Sequence, residues 1–326
     1  MSSKIEINYI KQYRLCDKDH FAVVKGISIL AALAAYIFGT YWDIPHMYHI
    51  RRIAAVVFAL CSGYGLSESF RRKGGLIHYW ENRMLKTWLP SLVVMVAFSL
   101  FLQGSPFAWV TQSPLGLKGS FVQVIFGAYI AFWVVFQFVE KTSSRMVGLF
   151  AIAGIAFCVI SEDMGMKVIL PAFPLGVLFS QLGLKYKVRE FAWKGKVVLM
   201  LICSAAGIGS WLLASRIAMP YVSTALWSIC YAAVAAVLIF GTYYAQRLPI
   251  FGVFVPFGMA SYALYLLYDY VFYLIVRQTS WRMIGIAFAA LCVAAAILTV
   301  LRELLVAWNQ KLRRKKSPHL KGALWH

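Results

Sequence analysis

Long apolar stretches joined by short connections, with lysine and arginine gathered on alternate connections, constrain this chain more than any other feature. Ten stretches stand out: Phe21–Tyr41, Ile53–Phe70, Thr87–Leu102, Phe121–Val139, Met146–Ile160, Val168–Leu184, Val197–Ser215, Tyr221–Tyr244, Ile250–Ile275 and Met283–Trp308. Most approach the roughly 17–25 residues a helix needs to cross the hydrocarbon core of a bilayer. A chain in lipid must satisfy its own backbone hydrogen bonds, so apolar segments of this length fold as helices. Assigning successive connections to alternate sides leaves only Arg51, Arg52, Lys118, Lys167, Arg216, Arg277 and Arg282 on one side, out of 32 Lys and Arg. The positive-inside rule then puts the cation-rich side, and both termini, in the cytoplasm. The expected fold is an all-α membrane protein, a bundle of about ten transmembrane helices in the cytoplasmic membrane. A cytoplasmic tail over 1–20, a membrane domain over 21–308 and a basic tail over 309–326 complete the expected organisation.

Composition excludes the main alternatives. The chain is 61% hydrophobic and only 13% charged, whereas a soluble globular protein is about one quarter charged. Its net charge of +20 raises the question of nucleic acid. The cations are spread over one membrane face, however, which fits loop retention and attraction to anionic headgroups. The bilayer is the expected partner, with no nucleic acid and the oligomeric state open. About twenty mostly polar residues precede the first apolar stretch and no small-residue cleavage pattern follows it, so that stretch reads as an uncleaved anchor. Six scattered cysteines, mostly within spans, read as small apolar packing residues, and no metal is expected. No internal repeat of transporter type is visible. Three spans carry irregularities. Pro90 interrupts the third, the fifth is short, and the sixth contains Pro171 and Pro174. A re-entrant fifth and sixth pair would remove both crossings together and leave the remaining sidedness intact.

The most telling local text lies near the first three spans. Lys25-Gly26-Ile27-Ser28 opens the first, Ser62-Gly63-Tyr64 closes the second, and Arg83-Met84-Leu85-Lys86 with Pro90 leads into the third. Downstream come Gly127-Ala128-Tyr129, Phe173-Pro174-Leu175-Gly176, and Gly258-Met259-Ala260-Ser261-Tyr262-Ala263-Leu264-Tyr265-Leu266-Leu267-Tyr268. In this order the segments resemble the integral membrane acyltransferase 3 family. Its members carry a basic-residue–Gly opening, a Ser-Gly-Phe/Tyr element, an Arg-x-x-Arg…Pro approach to the third span, and a Gly-x-x-Ser-Tyr-x-x-Tyr-Leu-x-His signature. The resemblance covers nearly the whole chain and agrees with the span count. It implies an enzyme that transfers an acetyl or other short acyl group from cytoplasmic acyl-CoA to a hydroxyl of a cell-surface or lipid-linked glycan. Ser62, Gly63, Ser261 and Tyr265 are the matching motif positions.

The departures are as informative as the matches. The family's first span carries a basic residue followed by a catalytic histidine at a spacing that lands here on Lys25 and Tyr36, and the later signature histidine falls on Tyr268. Acyl transfer to a hydroxyl needs a proton acceptor poised near neutral pH, which histidine suits. Tyrosine, with an ordinary pKa of about 10, is a poor base but can donate to a developing oxyanion. Two replacements are available. His46, with His49 and Asp43 on the first outer connection, is one, against the plain reading of solvated loop residues. Asp269 is the other, since a carboxylate inside a span is costly enough to imply a role. A structural pair with Arg302 or Lys25, or an end-of-span position, is its alternative. Glu68 and Glu303 read as partners of neighbouring arginines.

Lys25, Arg71, Arg72, Arg83 and Lys86 are the residues that would hold acyl-CoA phosphates. Topology and snorkelling account for the same charges without a ligand. A non-catalytic relative that binds or helps export a lipid-linked glycan is the rival function.

Overall fold

The computed structural model describes residues 18–73, 75–103, 119–159, 164–185, 193–217, 219–245, 249–276 and 280–316. All regular structure among them is helical. The elements are α1 (Lys18–Tyr41), α2 (Met47–Lys73), α3 (Tyr79–Arg83), a π-helix (Met84–Trp88), α4 (Leu89–Gln103), α5 (Gly119–Phe138), α6 (Thr142–Val159), α7 (Met164–Ile169), α8 (Ala172–Lys185), α9 (Trp193–Ala214), α10 (Pro220–Ala245), a 3₁₀ turn (Pro249–Val253), α11 (Phe254–Ile275) and α12 (Trp281–Lys316). Among the described residues, 9 helical stretches are long and apolar enough to cross a membrane, and Lys167–Leu182 is a shorter apolar one.

Each expected span thus corresponds to a helix, with two refinements. The fifth, short in the sequence, lengthens to the 18 residues of α6. The sixth is broken into α7 and α8 by a turn at Leu170–Pro171. Proline has no amide hydrogen to continue α7, and the Pro171 carbonyl instead accepts from the Leu175 amide 3.1 Å away. Pro174 falls in the first turn of α8, where amide hydrogens have no intrahelical partner to lose. At the other end α12 runs on to Lys316, so the first half of the stretch expected as a basic tail is helical.

The helices form two units. The larger comprises the described parts of Tyr9–Ile77 and Gly119–Ser261. Its centre is α2, which packs on α1, α7, α8 and α10. Within the spanning windows 61% of α2 is buried, against 11% of α6 and 17% of α9, so α2 is the core helix while α6 and α9 offer their side chains to lipid. Two crossings in this unit bring backbones together. A β-carbon on Gly63 of α2 would overlap the Phe173 carbonyl of α8, and one on Gly176 of α8 would overlap the Leu60 carbonyl of α2. Gly26 of α1 and Gly258 of α11 exclude β-carbons in the same reciprocal way, against Phe254 and Ala22. All four glycines lie in the motif segments.

The smaller unit comprises the described parts of His78–Lys118 and Tyr262–His326. It holds α3, the π-helix, α4, α12 and α11 from Tyr262 onward. Phe98 of α4 stacks on Tyr270 of α11 at 4.1 Å and 9°. Glu81 of α3 pairs with Arg313 near the end of α12.

Helices gain little from burying apolar side chains against each other rather than against lipid, so close backbone approach carries much of their association. Gly63→Ala is therefore expected to lower the thermal stability of the detergent-solubilised protein by about 1–3 kcal/mol, the usual cost of overpacking. Gly65→Ala, with open space around it, should leave the melting temperature unchanged or raise it.

Candidate functional site

In the smaller unit the third span opens irregularly for a local reason. Pro90 cannot donate to the carbonyl one turn earlier, and the five residues before Leu89 take π-helical spacing, with the Leu89 amide bonded to the Met84 carbonyl. Thr87, in that segment, is buried, and its carbonyl accepts a hydrogen bond from the Tyr262 hydroxyl of α11 at 2.7 Å. Single π-turns inside α-helices gather at functional sites. Here the turn lies between Arg83 and Pro90 and carries Lys86, so the Arg83…Lys86…Pro90 motif is tied directly to the Ser261-Tyr262 motif. Tyr265 and Tyr268 follow on α11 with their rings 5.9 Å apart. Asp269 sits within the same span, half-buried between Tyr268 and the stacked Tyr270.

In the larger unit, one end of the helices carries Lys25, Arg71 and Arg72. Glu68 is buried, and its carboxylate accepts from the Arg71 guanidinium and from the Ser180 hydroxyl at 3.0 Å. Arg71 also reaches the Ser180 carbonyl at 3.4 Å, and the Gln181 amide donates to Ser67 at 3.0 Å. These bonds fasten α2 to α8 beyond their glycine crossing. Arg72 is exposed, with Nε 3.4 Å from the Glu68 carbonyl. Lys25 lies on α1 within electrostatic reach of Cys61 on α2. Arg145 of α6 lies over the rings of Phe70 and Phe136 at 5.1 and 4.8 Å and donates to the Val139 carbonyl at 2.6 Å. At this end, too, a histidine the sequence reading left out is fully buried. His20 Nε2 lies 3.1 Å from Thr242 Oγ1, and that hydroxyl donates its hydrogen to the Leu238 carbonyl at 2.6 Å. His20 therefore donates to Thr242 and pins α1 to α10.

At the opposite end of the same unit, α2 starts at Met47, so Arg51 and Arg52 are helical rather than in a connection. His46 is exposed at a left-handed φ of 67° and stacks on His49 at 5.8 Å. His49 Nδ1 lies 2.6 Å from the hydroxyl of the buried Tyr231 on α10. Lys167, expected on a connection, is instead buried on α7 with its ammonium 4.5 Å from the centre of the Tyr221 ring and 5.6 Å from that of Phe157. An ammonium over an aromatic face is held by the ring quadrupole, which offsets part of its desolvation.

The expected site residues thus divide between the two units. Tyr36, His46, Lys25, Arg71, Arg72, Ser62, Gly63 and Ser261 belong to the larger, and Tyr265, Tyr268, Asp269, Arg83 and Lys86 to the smaller. Tyr36 is half-buried on α1, where it hydrogen-bonds Tyr41 with the rings edge-on at 6.4 Å. Ser62 is half-buried beside the Gly63 crossing, and the Ser261 hydroxyl bonds back to the Gly258 carbonyl at 2.8 Å. Glu303 pairs with Arg302 at 2.8 Å, as its position suggested. Tyr262, Trp227 and Tyr231 carry contacts that the sequence reading did not single out. Only the Ser-Tyr motif gave a prior signal for the first of them.

With this geometry in place, one comparison is informative. The family model described as an acyltransferase domain, that of the acyltransferase 3 family, matches residues 21–302. No curated protein and no solved structure matches the chain.

Removing Arg71 alone would leave the Glu68 carboxylate buried without its cation, a loss of about 3–5 kcal/mol. Arg71→Met is accordingly expected to destabilise strongly. The double variant Glu68→Gln/Arg71→Met should recover most of the lost melting temperature in detergent. A double variant no more stable than the single one would show that the ion pair is not what Arg71 contributes.

Proposed function

The chain belongs to the acyltransferase 3 family, and from that premise we propose that it moves an acetyl or other short acyl group from acyl-CoA, acetyl-CoA in the first place, to a hydroxyl of a cell-surface or lipid-linked glycan. It is a multi-pass membrane protein with an acyltransferase domain, so donor and acceptor sites have to lie within or beside the bilayer. In this reading both termini, and the donor, are on the cytoplasmic side of the cell membrane.

The observation that carries the reading is the bond from Tyr262 to the Thr87 carbonyl, which holds the basic π-helical segment against α11. Arg83 and Lys86 bind donor phosphates there, and Lys25, Arg71 and Arg72 are the alternative phosphate ligands within the larger unit. The acceptor hydroxyl attacks the thioester carbonyl, loses its proton to a base, and expels coenzyme A as the thiolate. Asp269 or His46 takes that proton, because Tyr36 and Tyr268 stand where the family has histidines. A tyrosine at either position can act as a hydrogen-bond donor to a developing oxyanion.

A second reading has its own observation. Tyr36 is already hydrogen-bonded to Tyr41 and is a poor base, which favours a relative that binds or helps export a lipid-linked glycan without transferring an acyl group.

Purified protein in nanodiscs, given radiolabelled acetyl-CoA, separates the two. An enzyme hydrolyses or transfers the label, whereas a binding protein releases no free coenzyme A above the protein-free rate. Arg83→Ala/Lys86→Ala is expected to weaken acetyl-CoA binding about 10–100-fold, as loss of charge-assisted hydrogen bonds implies. Tyr36→His should raise turnover if only the base is missing.

A further inference from the structure

One cluster in the larger unit is used neither by the donor site nor by the helix crossings. Tyr48, His49 and Arg52 share a face of the first turns of α2, because positions three and four apart on a helix are neighbours. Trp227 and Tyr231 do the same on α10. Trp227 lies seven residues past Pro220, about 10 Å along the helix axis at 1.5 Å per residue. It faces α2 rather than serving as a lipid-facing belt residue. Its ring stacks on His49 at 4.7 Å and 28°, and lies 5.4 Å from Tyr231. Tyr48 meets His49 at 4.1 Å, and the Arg52 guanidinium lies 4.9 Å from the centre of the Tyr48 ring. Tyr231 is buried, whereas Tyr48 is 41% exposed and Trp227 and His49 are half-buried. Exposure thus rises across the cluster from Tyr231 to Tyr48.

We infer that Tyr48, His49, Arg52, Trp227 and Tyr231 form a binding site for a sugar ring that carries an anionic substituent. Polar groups lie beside the rings: His49 Nδ1 is 2.6 Å from the Tyr231 hydroxyl, and the Arg52 guanidinium lies over the Tyr48 ring. An imidazole and a guanidinium side by side can bond to the oxygens of a ligand. Arg52 adds a planar fork suited to a carboxylate or phosphate, and the Trp227 and Tyr48 faces suit the C–H surface of a sugar. On the expected topology this end faces the non-cytoplasmic side, where a glycan acceptor would be met. The inference rests on the glycan reading only for where the sugar comes from.

The test is calorimetric titration of the full chain in neutral-lipid nanodiscs with a glucuronate-containing trisaccharide and with the same trisaccharide reduced to its alcohol. The acidic form is expected to bind about tenfold tighter, corresponding to ~1.4 kcal/mol. Arg52→Gln should abolish the preference while keeping weak binding, and Trp227→Ala should abolish both. Equal affinity for the two sugars in the unaltered protein would overturn the inference without needing any variant to fold. Binding that survives both substitutions would overturn it as well. So would competition by inorganic phosphate or anionic phospholipid vesicles at the trisaccharide's own effective concentration, since that marks a headgroup site. Sugar binding without acetyl transfer would leave this site standing and remove the enzyme reading. Transfer without sugar binding would do the reverse.

Discussion

Contact between bare backbones organises the larger unit. Where α2 meets α8, and where α1 meets α11, glycines on both partners occupy the crossing and the opposing element is a carbonyl. Lipid tails solvate leucine about as well as another helix does, so apolar side chains specify neither partner nor register. A glycine crossing does both. It lets dispersion and Cα–H···O contacts act over many atoms at once, and a shift by one residue puts a side chain where only hydrogen fits. The Glu68–Arg71 ion pair, the hydrogen bonds from Ser180 to Glu68 and from Gln181 to Ser67, and the His20–Thr242 bond then add direction at the same end of the unit.

Much of this architecture was legible in the sequence because bilayer thickness acts as a ruler. A run of apolar residues between polar connections has one outcome in lipid, and α1, α2, α5, α9, α10 and α11 lie close to where those runs lie. The sixth span was legible as irregular from Pro171 and Pro174, and it is the one that breaks into two pieces. The π-helical form of Met84–Trp88 was less accessible. Pro90 announced an interruption, but how the upstream carbonyls are satisfied depends on Tyr262, far away in the chain. The helical form of Tyr48–Arg52 was missed because His46, Arg51 and Arg52 made the segment look like a polar connection. Hydropathy cannot distinguish a polar first turn from a loop.

Site residues were legible in proportion to how much of their meaning is local. Lys25-Gly26, Ser62-Gly63 and Phe173…Gly176 could be singled out as text, yet their glycines turn out to be structural partners of one another. Glu68 could be assigned to a neighbouring arginine because the pair is one helical turn apart. The pairing of His49 with Tyr231 spans 182 residues, and no periodicity within either helix points to the other. Lys167 had the look of a loop cation, since nothing nearby in sequence reveals that Tyr221 covers its ammonium.

The π-turn also makes the third span sensitive to length in an unusual way. A regular helix advances about 100° per residue, and a π-turn stores one surplus residue without breaking the rod. Excising a single residue between Met84 and Trp88 would therefore act as a swivel more than a shortening. The Tyr79–Arg83 turn, and Glu81 with it, would pivot by roughly a quarter of a revolution relative to Leu89–Gln103. Arg83 would sweep across the bundle surface while every apolar residue of α4 kept its bearing. Lineages that gain or lose one residue here could redirect their cationic arm in a single mutational event.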